Sequence, residues 1–143
     1  MPAVSWYVEV DVDLYVAAAM TSPARDPGRR ADDVARAAIG DVVKELVETL
    51  GSRVVAYIGG ASHTKFVHAW AHGAAVPRRA TALRAALQAV RIVVAAESPK
   101  VAEAWFMGAN THLDLEAPAT VLRNANDPAI LSRVVRAAKA FTL

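Results

Sequence analysis

The stretch AYIGGASHTKFVHAWAHG, residues 56–73, holds three of the chain's four histidines, His63, His68 and His72. His68 and His72 stand four residues apart, a spacing that puts two imidazoles on one face of a helix, as a metal site requires. Such a site also needs a third ligand. Asp and Glu are absent from residues 49–96, and the chain has no cysteine, so no metal and no cofactor are expected. The same stretch also has the form of a short helix, a glycine turn and a second helix, which is how a helix-turn-helix reads in sequence. A third reading is plain packing, in which Val67 and Trp70 fill a core.

Catalytic arrangements elsewhere are weak. Glu9, Asp11 and Asp13 form a run of carboxylates, but they alternate with apolar residues and fall on the polar face of a strand, where carboxylates are ordinarily just solvated. The GGAS segment, residues 59–62, lacks the Lys-Ser/Thr that completes a phosphate-cradling loop. Ser, His and Asp are present, but no nucleophile elbow frames them. The expectation is a protein that is not an enzyme.

The elements that must carry these residues follow from periodicity. In residues 4–16, Val4, Trp6, Val8, Val10, Val12, Leu14 and Val16 alternate strictly with polar residues and tyrosines, which predicts a β-strand. No second strand follows, so pairing with the same strand of another copy, in a twofold dimer, is expected. TSPARDPGRR, residues 21–30, reads as a linker. Everything after it reads as helix. Residues 32–50 carry an apolar stripe ending at Gly51, with Gly40 inside costing about 1 kcal/mol relative to alanine. Ser52 is expected to cap a helix running to Ile58, and Ser62 to cap one that stops at Gly73. Residues 80–96 place Leu83, Leu87, Val90 and Val94 inward. Ser98-Pro99, Pro118 and Asp127-Pro128 open the last three helices.

Charge divides the chain. Residues 1–50 hold five Lys/Arg against nine Asp/Glu, residues 51–100 hold seven against one, and residues 101–143 hold four of each. The basic middle segment coincides with the two short helices, which favours a polyanion-binding surface over an ordinary solvated face. Ser62, His63, Thr64, Lys65 and His68 are then the residues to meet base edges and phosphates, with Arg53, Arg78, Arg79 and Arg84 on flanking phosphates. No apolar run approaches the length that spans a bilayer, and no secretory signal begins the chain, so a cytoplasmic location is expected.

With these residues placed, the chain from about residue 34 onward resembles the Xre/ParS-type antitoxins of the RES–Xre toxin–antitoxin family. One block is VVAYIGGASHTKFVHAWAHGAAVPRRATALRAAL, with Trp70-x-x-Gly73 and Val76-Pro77 after the two short helices. The other is AEAWFMGANTHLDLEAPATVLRN, where Trp105-Phe106, Asn110, Leu113, Pro118 and Leu122 match the family's W-[LFM]-x-x-x-N-x-x-L…P-x-x-[LV]-[LV] pattern. The resemblance implies an antitoxin that binds a RES-domain, NAD-consuming toxin, blocks its active site and represses its own operon. It further implies that Trp105, Asn110, Leu113 and Pro118 shape a toxin-binding domain, with helix 128–140 and the tail Lys139, Phe141, Thr142 and Leu143 as inhibitory element. From Ser62 to Trp70 the chain runs one residue longer than the family's usual recognition helix, and residues 1–30 have no counterpart in it.

The expected fold is therefore mostly α, a helix-turn-helix bundle with a C-terminal helical toxin-binding domain and one N-terminal β-strand. The expected division is strand and linker at 1–30, DNA-binding domain at 31–97 and toxin-binding domain at 98–143. The expected partners are double-stranded promoter DNA, a RES-domain toxin and a second copy of the chain, with no membrane. Two rivals remain: a stand-alone, prophage-like helix-turn-helix regulator without a toxin, and a toxin-neutralising module that no longer reads DNA.

Overall fold

A computed structural model describes residues 27–143, with side chains from residue 38 onward. The strand expected at residues 4–16 lies outside the described residues. Within them the chain is mostly helical and has no strand. Seven α-helices follow in order: α1 (Pro27–Leu50), α2 (Ser52–Gly59), α3 (Lys65–Ala71), α4 (Ala80–Ala96), α5 (Pro99–Met107), α6 (Pro118–Asn124) and α7 (Pro128–Phe141), with a 3-10 turn at Thr111–Leu113. The first helix begins inside the stretch read as linker. Pro27 is at its first position, where a missing N–H removes no helical hydrogen bond. None of the described helices is long and apolar enough to cross a membrane.

α4 is the axis of the fold. It packs against α1, α2, α5, α6 and α7, and its buried residues Leu83, Leu87, Val90 and Val93 meet the α1 stripe of Ile39, Val43, Leu46 and Leu50. The same hydrophobic cluster continues through Trp105 and Phe106 of α5, Leu122 of α6 and Val134 of α7. One core thus runs across residue 97, where the sequence changes character. α4 also buries Arg91, whose Nε donates to Glu45 Oε2 at 2.6 Å while Nη2 reaches the other carboxylate oxygen. This paired fork ties α4 to α1 with a charge that has little access to water.

Helix ends follow local chemistry with two corrections. Ser98 Oγ accepts from the Val101 N–H at 3.2 Å, and Asp127 Oδ1 accepts from the Ala129 N–H at 2.8 Å, each followed by proline. Ser52 and Ser62 do not cap. Gly51 takes the position before α2, in a conformation (φ 83°, ψ 160°) that suits only glycine, so Ser52 is already helical. Residues 62–64 form a turn, α3 starts at Lys65, and His63 Nδ1 rather than Ser62 accepts from the Lys65 N–H at 3.2 Å. α2 ends on Gly60 in the left-handed region, with the Ala61 N–H on Ala56 O and the Gly60 N–H on Tyr57 O. That paired closure needs a residue without a Cβ penalty and turns the chain sharply toward α3.

Candidate functional site

The α2–α3 pair is fixed by a close approach. A Cβ at Gly59 would lie 2.6 and 2.7 Å from two atoms of the Trp70 ring, so only glycine lets the indole sit on α2. Trp70 and Val67 are both buried, giving α3 an inner face that locks onto the scaffold. Gly40 serves the same pair from below: a Cβ there would stand 3.0 Å from the Ala71 carbonyl oxygen. The glycine that weakens α1 as a helix is the one that admits the end of α3.

With Val67 and Trp70 turned in, the other side of α3 is open. His63, Thr64, Lys65 and His68 are all exposed and line one groove of about 570 Å³ with Lys44, Val47 and Glu48 of α1. Four of the nine residues expected to meet DNA are thereby brought together. Ser62, Arg53, Arg78 and Arg84 are exposed but do not line this groove. Lys44 was not legible as a member, because its place depends on α1 packing beside α3 rather than on sequence neighbourhood. His68 and His72 meet edge to face with ring centroids 4.3 Å apart. Glu48 shares the groove with His63 and His68, yet among the described residues no group of three His, Cys, Asp or Glu could hold a metal ion.

Arg79 has a different place from its neighbour. Its Nη2 donates to the carbonyls of Leu122 and Ala125, both at 2.6 Å, where α6 ends. Its aliphatic stem passes 3.1 Å from where a Gly60 Cβ would be. Arg79 therefore links the α2–α3 turn to the C-terminal end of α6. A second brace runs the other way. Arg123 of α6 donates to Tyr57 O at 2.7 Å and lies 4.5 Å over the Tyr57 ring, while the Tyr57 hydroxyl pairs with Thr120 Oγ1 at 3.2 Å.

Of the C-terminal residues, Trp105, Asn110 and Phe141 line a second groove, of about 450 Å³, with His112 at its edge. Trp105 is largely buried, and its ring centroid is 6.4 Å from that of Phe141. Asn110, also buried, organises the following loop. Its Oδ1 accepts from the His112 N–H and its carbonyl from the N–H groups of Leu113 and Leu115. Leu113 is core and belongs to a separate shallow pocket beside Arg133. α7 packs lengthwise on α4 through Val134, Ala137 and Ala138, so most of this helix serves its own fold. Its end does not. Phe141 is 45 % exposed and Leu143 106 %, Lys139 is exposed, and Thr142 turns its hydroxyl back onto Lys139 O at 2.8 Å.

The loop after Asn110 carries strain. Asp114 and Leu115 both have positive φ, 57° and 69°, and Leu115 is a large apolar side chain 68 % exposed to solvent. For leucine this region is unfavourable by about 1–2 kcal/mol. No residue pattern announced it, since neither position is glycine or asparagine. Compared with known protein families, characterised proteins and solved structures, the chain gives no match.

Proposed function

We propose that the protein is a DNA-binding antitoxin, acting without catalysis of its own in the cytoplasm. α2, the glycine turn and α3 form the helix-turn-helix that grips its own promoter and represses transcription, two copies spanning two half-sites. The C-terminal tail, from Lys139 onward, enters the NAD cleft of a RES-domain toxin and blocks it. One observation carries the reading: Gly59 and Trp70 lock α3 by its apolar side and leave His63, Thr64, Lys65 and His68 exposed together in the chain's basic segment. The exposed, apolar Phe141 and Leu143 support the toxin-binding half, since exposed apolar groups are better placed in a partner's pocket than in water. Arg79 is left out of the proposed DNA surface, because its guanidinium is held by two carbonyls within the chain.

Purification of the intact protein from its native host, with co-purifying proteins identified by mass spectrometry, tests the reading as a whole. A stoichiometric RES-domain enzyme is the expected companion. Promoter binding with no such enzyme leaves the stand-alone regulator, and a RES-domain enzyme with no promoter binding leaves the pure neutralising module.

A further inference from the structure

Phe66 belongs neither to the inner face of α3 nor to its polar side. Val67 and Trp70 are buried, and His63, Thr64, Lys65 and His68 line the groove beside α1, which Phe66 does not. Phe66 is instead 41 % exposed, in the first turn of the helix. A single exposed apolar side chain is ordinary on a protein surface. Two observations set this one apart. It directly follows the exposed polar run 62–65, in a segment, residues 51–100, with seven Lys/Arg against one acid. The Lys65 ammonium also lies over its ring, 5.5 Å from the centroid, so α3 presents a cation and an aromatic face together.

We propose that Phe66 is a specificity-determining residue, its ring packing on the C5-methyl group of a thymine in the major groove while Lys65 contacts a flanking phosphate. This deepens the DNA-binding reading above and rests on it. The major groove is about 12 Å wide, so a base edge along its middle lies about 6 Å from either row of phosphates. The 5.5 Å between cation and ring is of that size. A phenyl ring has no hydrogen-bonding group and reads neither donors nor acceptors. What it distinguishes is the methyl group that thymine presents and cytosine lacks. Ring and methyl leave water together on binding, which favours the complex.

A thymine-to-uracil scan tests this one methyl group at a time. Full-length protein is titrated by anisotropy against a duplex from the DNA upstream of its own gene. Each thymine in turn is replaced by deoxyuridine, which removes one methyl and leaves pairing and charge intact. At one position or more, wild-type binding should weaken about fourfold, the worth of one buried methyl group. Phe66→Ala should bind the unmodified duplex at least about fourfold more weakly and be indifferent to uracil at those positions. Its slope of log K against log salt should stay that of wild type, because no charge is removed. A shallower slope would mean a damaged α3, and Phe66→Gln, which keeps a long side chain without the ring, then carries the comparison. A shallower slope in both variants would make Phe66 a structural residue and overturn the proposal. Wild-type protein indifferent to every uracil overturns it whatever the variants do. Equal uracil losses in wild type and variant also overturn it, since another residue then meets the methyl. In these cases wild-type binding persists and the DNA-binding reading stands; wild-type protein that binds no duplex removes both.

Discussion

At the scale of single residues, the α2–α3 unit depends on one missing Cβ. Gly59→Ala forces a methyl group within 2.7 Å of the Trp70 ring, and neither helix can shift without disturbing the core. Overpacking of this kind costs about 1–3 kcal/mol, read as a lower midpoint in urea unfolding. Pairing it with Trp70→Leu should recover part of that loss, because the two changes act at one contact and do not add. Independent, additive losses would mean that the ring does not rest on Gly59. Arg79 makes a second residue-scale prediction. Arg79→Ala strands the Leu122 and Ala125 carbonyls and should cost about 1–3 kcal/mol in the same assay, while leaving the salt dependence of DNA binding unchanged. A variant of full stability with a shallower salt slope would return Arg79 to the DNA surface.

Among elements, those set by local chemistry were legible and those set by packing were not. The α1 stripe, the Ser98 and Asp127 caps and the prolines opening α5, α6 and α7 follow from spacing and cap chemistry alone, and the structure has them. Ser52 misled because Gly51 takes the cap position with no side-chain bond, and Ser62 because a histidine nitrogen accepts in its stead, and sequence does not rank such competitors. Lys44 joined the groove only through the crossing of α1 and α3, and Arg79 left the flanking set only because α6 ends beside it. The Glu45–Arg91 fork is of the same long-range kind. Glu45→Gln should cost up to about 3–5 kcal/mol, the lower part of that range being expected since the carboxylate keeps a quarter of its surface. Unchanged thermal stability would mark the pair as incidental. For α7, packing on α4 predicts that removing residues 139–143 leaves the helix and the fold in place, by circular dichroism. The same truncation should release NAD consumption by a RES-domain toxin that the full-length protein inhibits. Equal inhibition by both proteins would take the tail out of the mechanism.

At the scale of the whole molecule, the helices before and after residue 97 share one core, and the later ones brace the earlier. Arg79 and Arg123 join α6 to the turn and to the C-terminal end of α2, so the α2–α3 unit is held from both sides. The charge asymmetry then has a direction: a basic α3 face with Lys44 beside it, and an acidic segment before α1. The central claim is that this face grips DNA through its cations. The most direct test is the slope of log K against log salt for the duplex upstream of the protein's own gene. Lys65→Ala and Arg78→Ala should each shallow the slope by about 0.9, one released counterion apiece, and Lys139→Ala, in the last turn of α7, should leave it unchanged. Slopes identical to wild type for Lys65→Ala and Arg78→Ala would contradict the claim.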